Sequence, residues 1–236
     1  MTKKALFISG GWDGHEPVET SEFISEQIKI YNIESKIVND LDVMTDLEYL
    51  KSFDVILPVW TMGQIDDNNW EIKNSKIGNL QEAVHSGVGL AGWHGGMTDA
   101  FRDNTNYQFL VGSQFVCHPG DFVDYEVNII DKHHEIVDGI NNFKVFSEQY
   151  FLHIDPSINI IASTKFTKKY HEWIDDVEMP VAYTKSWGNG KVFHCSIGHY
   201  LKDFENENVV KLIIQGINWT TKSVSYTHLT LPTNDQ

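Results

Sequence analysis

Two apolar runs, "DVILPVW" (Asp54–Trp60) and "VGLAGW" (Val88–Trp93), restrict the fold more than any other feature of the chain. A strand with one wet face alternates apolar and polar residues. A near-continuous apolar run needs cover on both faces, as in a parallel sheet sandwiched between helices. Ala5–Ser9 is a shorter run of the same kind, ending in Gly10-Gly11, and Ser35–Val38 is another. Between them the spacing becomes helical. Pro17 suits a helix start, and Phe23, Ile24, Ile28 and Tyr31 recur every three to four residues. Ile77, Leu80 and Val84 mark the next helix. This β-α-β-α order predicts parallel strands joined by right-handed crossovers.

The second half of the chain is patterned differently. Phe122–Ile130 and Ile158–Ser163 alternate as half-exposed strands do. Pro180–Trp187 and Lys191–Ile197 flank Gly188-Asn189-Gly190, which predicts a hairpin. Glu205–Trp219 reads as a closing helix with Val209, Val210, Ile213 and Ile217 on one face. The expectation is one α/β domain over residues 1–222, with a mainly parallel sheet flanked by helices and extended by antiparallel strands. Val224–Thr233 of the tail "SVSYTHLTLPTNDQ" back-translates as GTC TCT TAT ACA CAT CTG ACG CTG CCG ACG. That string resembles a transposon-end sequencing adapter read in frame. Residues 223–236 are therefore expected to be read-through rather than native structure.

A formal net charge of -15 argues against nucleic acid and anionic membrane as partners. No apolar run approaches the roughly 20 residues that span a bilayer. Two cysteines, Cys117 and Cys195, make no disulfide framework, which fits a reducing cytoplasm. Gly87–Gly92 matches G-x-G-x-x-G, but it follows a helix and enters a strand, the reverse of a dinucleotide site.

Ligands of open α/β sheets bind beyond the carboxyl ends of the strands. The first strand is followed by Trp12, Asp13, His15 and Glu16, and the third by Trp60 and Thr61. The fourth is followed by "GWHGG", which puts His94 where a G-x-S-x-G elbow carries its nucleophile, with Arg102 nearby. His118 lies in a Gly/Pro-bounded loop, and His194 and His199 come at the end of the hairpin. Glu148, flanked by aromatics in "FSEQY", reads as a partly buried carboxylate suited to acid or base work. Flat tryptophan faces beside hydrogen-bonding side chains suit a sugar. His15, His118 and His199 with a carboxylate are the candidate ligands for a divalent metal such as zinc.

"FISGGWDGHEP", "GLAGWHGGMTDAF", "FLVGSQFVCHPG", "FSEQY" and "PVAYTKSWGNGKVFHCSIGH" together resemble the ThuA-like family, named for trehalose utilisation. The likeness covers Lys3–Trp219. It implies a flavodoxin-like fold related to class I glutamine amidotransferases, whose elbow carries a cysteine. Here His94 stands in that place, so glutaminase chemistry is not expected. The resemblance implies a role in catabolism of trehalose or related disaccharides, including 3-keto forms. His94 is the expected general acid or base, since imidazole titrates near neutrality. Glu148 or Glu16 would orient it. His15, His118 and His199 would hold substrate hydroxyls or the metal, with Asp13 and Arg102 also binding substrate. Trp12, Trp60 and Trp93 would stack on the sugar. The reaction type stays open among hydrolysis, elimination and isomerisation. The rival expectation is a non-catalytic sugar-binding or regulatory module. The expected partner is a small-molecule sugar, with homo-oligomers as the protein-level possibility.

Overall fold

The protein was analysed as a computed structural model that describes residues 2–65 and 73–221; the tail read above as non-native lies outside the described residues. The first half builds β1 (Lys3–Gly11), α1 (Pro17–Gln27), β2 (Ile33–Val38), α2 (Leu47–Lys51), β3 (Val55–Thr61), α3 (Lys76–His85) and β4 (Gly89–Trp93). Two short helices follow, α4 (His94–Thr98) and α5 (Thr105–Val111), then β5 (Ser113–Cys117) and β6 (Phe122–Ile129). The rest is β7 (Phe143–Glu148), β8 (Phe151–Ile154), β9 (Asn159–Lys165), β10 (Glu178–Trp187), β11 (Gly190–Cys195) and α6 (Glu207–Thr220).

Nine strands form one sheet in the order β2-β1-β3-β4-β11-β10-β9-β6-β7, and β5 pairs with β8 apart from it. The β2-β1-β3-β4-β11 portion is parallel. From β11 onward the pairings are antiparallel. At the last of these, Phe122 of β6 stands opposite Glu148 of β7. Directions therefore alternate across β10, β9, β6 and β7, and β7 ends at the same edge as the parallel strands.

Strand parity divides the core. Phe7, Leu57, Ala91, Trp93 and Phe193 face one layer, covered by Ile24 of α1 and by Val209, Ile213 and Ile217 of α6. Leu6, Ile8, Ile56 and Leu90 face the other, covered by Ile77, Leu80 and Val84 of α3. Burial on both faces is why Val55–Trp60 and Val88–Trp93 carry no charge; Asp54 lies just before β3, where its carboxylate accepts from the Lys4 N–H. The same parity corrects one expectation. Trp93 follows Ala91 onto the α6 face, where it is only 2% exposed between Phe7 and Phe204. It is a core residue, unable to stack on a ligand.

The alternating strands, the hairpin and the closing helix lie where their patterns put them. The predicted hairpin turns at Gly188-Asn189, with Trp187 paired to Gly190. The sequence reading omits β5, β7, β8, α2 and α5. In β7, Phe143, Val145 and Ser147 point inward, but Phe146 is an exposed aromatic that blurs the alternation.

Candidate functional site

The ends of the parallel strands β1, β3, β4 and β11 and the end of β7 converge on one edge of the sheet. There the chain leaves β4 through His94, whose φ of 47° lies in the left-handed region. Such a turn costs a non-glycine residue energy and is characteristic of positions held for function. It is the strand-to-helix elbow that "GWHGG" predicts, with α4 starting at the histidine itself. The flanking glycines let neighbours approach closely. A Cβ on Gly96 would stand 2.9 Å from Val59 Cα, and one on Gly95 would stand 2.6 Å from His15 Cε1.

His94 is buried and tightly held. Its Nδ1 donates to the Ser196 carbonyl at 2.9 Å. A carbonyl only accepts, so Nδ1 carries the hydrogen and Nε2 presents its lone pair. The Tyr150 hydroxyl stands 2.7 Å from Nε2 and donates to it. Glu148 Oε2 lies 3.1 Å from the same nitrogen, and His199 Nδ1 lies 3.3 Å from it. His199 Nδ1 is also 3.2 Å from Glu148 Oε2. His15 joins from the β1 end: its Nδ1 pairs with Thr61 Oγ1 at 2.7 Å, and its ring centre is 4.6 Å from that of His94.

Burial pushes the Glu148 carboxyl up, but hydrogen bonding from His199 and the closeness of the His94 ring outweigh it and hold the group well below the usual carboxylate range. It is ionised at neutral pH. His15 is pulled down to about 2 by burial and by its histidine neighbours, so it is neutral there. The Tyr150 phenol is pushed well above its usual range by burial and by Glu148, and keeps its proton. His194 lies inside the sheet beside Tyr183, and burial with the nearby His94 lowers it to about 3.

One ligand atom from each of His15, His94, Glu148 and His199 lies within 4.8 Å of the others, and all four residues are buried. Of the expected metal ligands, His15 and His199 belong to this set. His118 is outside it, with its ring stacked on Phe115 and its Nε2 3.6 Å from the other Glu148 oxygen. His94 stands in the set beside them.

The remaining candidates divide. Trp12 is 46% exposed and stands over His15 and His199, with ring centres 4.8 and 6.4 Å away. Asp13 is exposed in the same turn. Trp60 is half-buried over Gly10 and Gly63 against the α3-side core, so its face is used in packing. Glu16 does not reach His94; its Oε2 accepts from the Leu201 backbone N–H at 2.9 Å. Arg102 makes a bidentate pair with buried Asp99 and lies 5.7 Å from the Phe115 ring centre, on the Tyr150 side of the site. The sequence reading puts Thr61 at this edge without a role and does not name Tyr150. Tyr150 was legible only through its place two residues after Glu148, and Thr61 through its place at the end of β3.

These features define a mixed α/β protein whose large, mostly parallel sheet carries a histidine elbow facing a buried carboxylate. The chain belongs to the ThuA family, described as trehalose utilisation, which matches residues 4–220. A putative ThuA-like protein from Parabacteroides merdae superposes with a TM-score of 0.72 at 17% identity, over 93% of this chain and 90% of that one. A putative ThuA-like protein from Bacteroides uniformis gives 0.71 at 15%, over 92% and 91%. A cytoplasmic protein from Salmonella typhimurium gives 0.62 at 14%, over 93% and 100%. No curated protein matches the sequence. Among the described residues no helix is long and apolar enough to cross a membrane.

Proposed function

We propose that this protein is a cytoplasmic enzyme that processes trehalose or a related disaccharide, including 3-keto forms, by acid–base chemistry at His94. One observation carries the reading: three buried histidines surround one ionised buried carboxylate at the carboxyl edge of the sheet, beside the half-exposed face of Trp12. The family's description supplies the sugar. The β2-β1-β3-β4-β11 order supports a flavodoxin-like ancestry of the amidotransferase kind.

His94 Nε2 is the working atom, because Nδ1 is committed to Ser196. It takes a proton from substrate carbon or hydroxyl and returns it to the departing or enolised oxygen. Glu148, ionised at 3.1 Å, stabilises the imidazolium formed in between. Neutral His15, together with His199, orients substrate oxygens, and Trp12 supplies the stacking face. Thiol chemistry has no place at this elbow. Cys117 is exposed at the end of β5, and the buried Cys195 thiol is pushed up to about 12.

The test is turnover of trehalose and its 3-keto derivative by the wild type and His94→Gln. The expected result is product formation that falls by about 10²–10⁴-fold in the variant while sugar binding persists. Sugar binding without turnover in the wild type overturns the enzymatic reading in favour of the binding module. Neither binding nor turnover overturns the sugar assignment.

A further inference from the structure

We propose that the pocket holds one divalent first-row transition-metal ion, ligated by His15, His94, His199 and Glu148. This rests on the site of the functional reading and goes beyond it: with the ion bound, His94 Nε2 is a ligand, its acid–base role belongs to the metal-free protein, and the ion would polarise a substrate oxygen instead. Metal content reads the ion and turnover reads the sugar, so each can fail alone.

The spacing of the donor atoms carries the inference. His94 Nε2, Glu148 Oε2 and His199 Nδ1 form a triangle with sides of 3.1, 3.2 and 3.3 Å. Imidazole nitrogens and carboxylate oxygens bind zinc at about 2.0–2.1 Å. Two such ligands stand about 3.3–3.4 Å apart at tetrahedral angles and about 2.9 Å apart at right angles. The triangle falls inside that window on every side. His15 faces it, with its ring centre 4.6 Å from that of His94 and 4.5 Å from that of His199. Its Nδ1 is bonded to Thr61, which leaves Nε2 to ligate. The widest donor separation, 4.8 Å, exceeds the tetrahedral spacing by roughly 1.4 Å, a closure the side chains would make around an ion.

Charge points the same way. His94 Nε2 and Glu148 Oε2 both present lone pairs, 3.1 Å apart and out of water. Glu148 pairs with histidines alone among the described residues; no Lys or Arg reaches it. A cation in the triangle neutralises the carboxylate and takes the Nε2 lone pair in place of the Tyr150 hydroxyl. The outer contacts, Ser196 carbonyl on His94 and Thr61 hydroxyl on His15, fix ring orientation as supporting groups of metal sites do. Three imidazoles and one carboxylate favour ions such as zinc, iron, cobalt or nickel over magnesium or calcium. His118, against the other carboxylate oxygen, would steady the ligand without binding the ion.

The test uses the full chain without a histidine tag. It is stripped with a chelator, then titrated with Zn²⁺ and with Co²⁺ as a spectroscopic probe. One equivalent per chain is expected, with a visible Co²⁺ spectrum distinct from the aqueous ion. His199→Ala and Glu148→Gln should weaken Zn²⁺ binding by more than about 100-fold, beyond the roughly 10–100-fold loss typical of supporting residues. His118→Ala should keep one equivalent. Circular dichroism reports whether each variant folds. Should a ligand variant unfold, Thr61→Val, which touches no ligand atom directly, should weaken binding by about 10–100-fold. An unchanged Co²⁺ spectrum, no Zn²⁺ uptake by the wild type, or loss on removing His118 with retention on removing His94 overturns the proposal.

Discussion

Replacing Gly95 by alanine asks whether the elbow sets the position of His15. The added Cβ would stand 2.6 Å from His15 Cε1, 2.9 Å from its Nδ1 and 3.0 Å from Thr61 Cγ2. Ordinary carbon contacts lie near 3.5–4.0 Å, so the ring must retreat by about 1 Å. Thr61 meets the same Cβ, so both partners of the 2.7 Å His15–Thr61 bond are displaced. Overpacking of a filled interior typically costs about 1–3 kcal/mol. For a chain of this size, about 2 kcal/mol lowers Tm by roughly 4–8 °C. Calorimetry of wild type, Gly95→Ala, His15→Ala and the double variant gives the coupling. The alanine penalty should shrink by at least about 1 kcal/mol once the His15 ring is gone. An equal penalty in both backgrounds would refute the contact, as would a Gly95→Ala protein with wild-type Tm and unshifted His15 ring resonances.

Further outcomes follow from other contacts. Trp93→Ala should cost about 3–5 kcal/mol by opening the core, whereas Trp12→Ala should leave stability within about 0.5 kcal/mol and weaken sugar binding; denaturant melts and calorimetric titration separate the two. Tyr150→Phe removes the hydroxyl at His94 Nε2, so it should cost about 1 kcal/mol and shift the acid limb of the pH–rate profile. Asp155, drawn down from 3.8 to about 2 by Lys185 and the Ser157 N–H, contributes stability that is present above pH 3.8 and lost as pH falls towards 2. Asp155→Asn should therefore cost about 1.5–3 kcal/mol at pH 7, with the difference from wild type closing in urea melts below pH 3.8.

The sequence made the parallel half legible because strands covered on both faces rarely carry charge, and Ala5–Ser9, Val55–Trp60 and Val88–Trp93 obey that rule. It also located the elbow and the histidines that follow β1, β4 and β11. It could not say which face each side chain joins. Trp93 and His94 are adjacent, yet one enters the core and the other leaves the strand through a left-handed turn. That His94 and not His118 stands grouped with His15, His199 and Glu148 was equally hidden, because it depends on where β5 and β7 bring their ends. The alternation of β7 is masked by Phe146, and β5 reads as loop beside Gly112 and Pro119.

The pairing of Phe122 with Glu148 has a consequence for how the chain can be altered. Neighbouring residues of a strand point to opposite faces, so a one-residue slip of β7 against β6 would offer Ser147 or Gln149 in place of the carboxylate. Two bonds act as stops against it: Tyr125 donates to the Glu148 carbonyl, and Ser147 donates to Asp203. The connection between β6 and β7 can thus lengthen or shorten through evolution without harm. A single residue gained or lost within either strand would erase the acidic group of the cluster and at the same time turn Phe143 and Val145 away from the core.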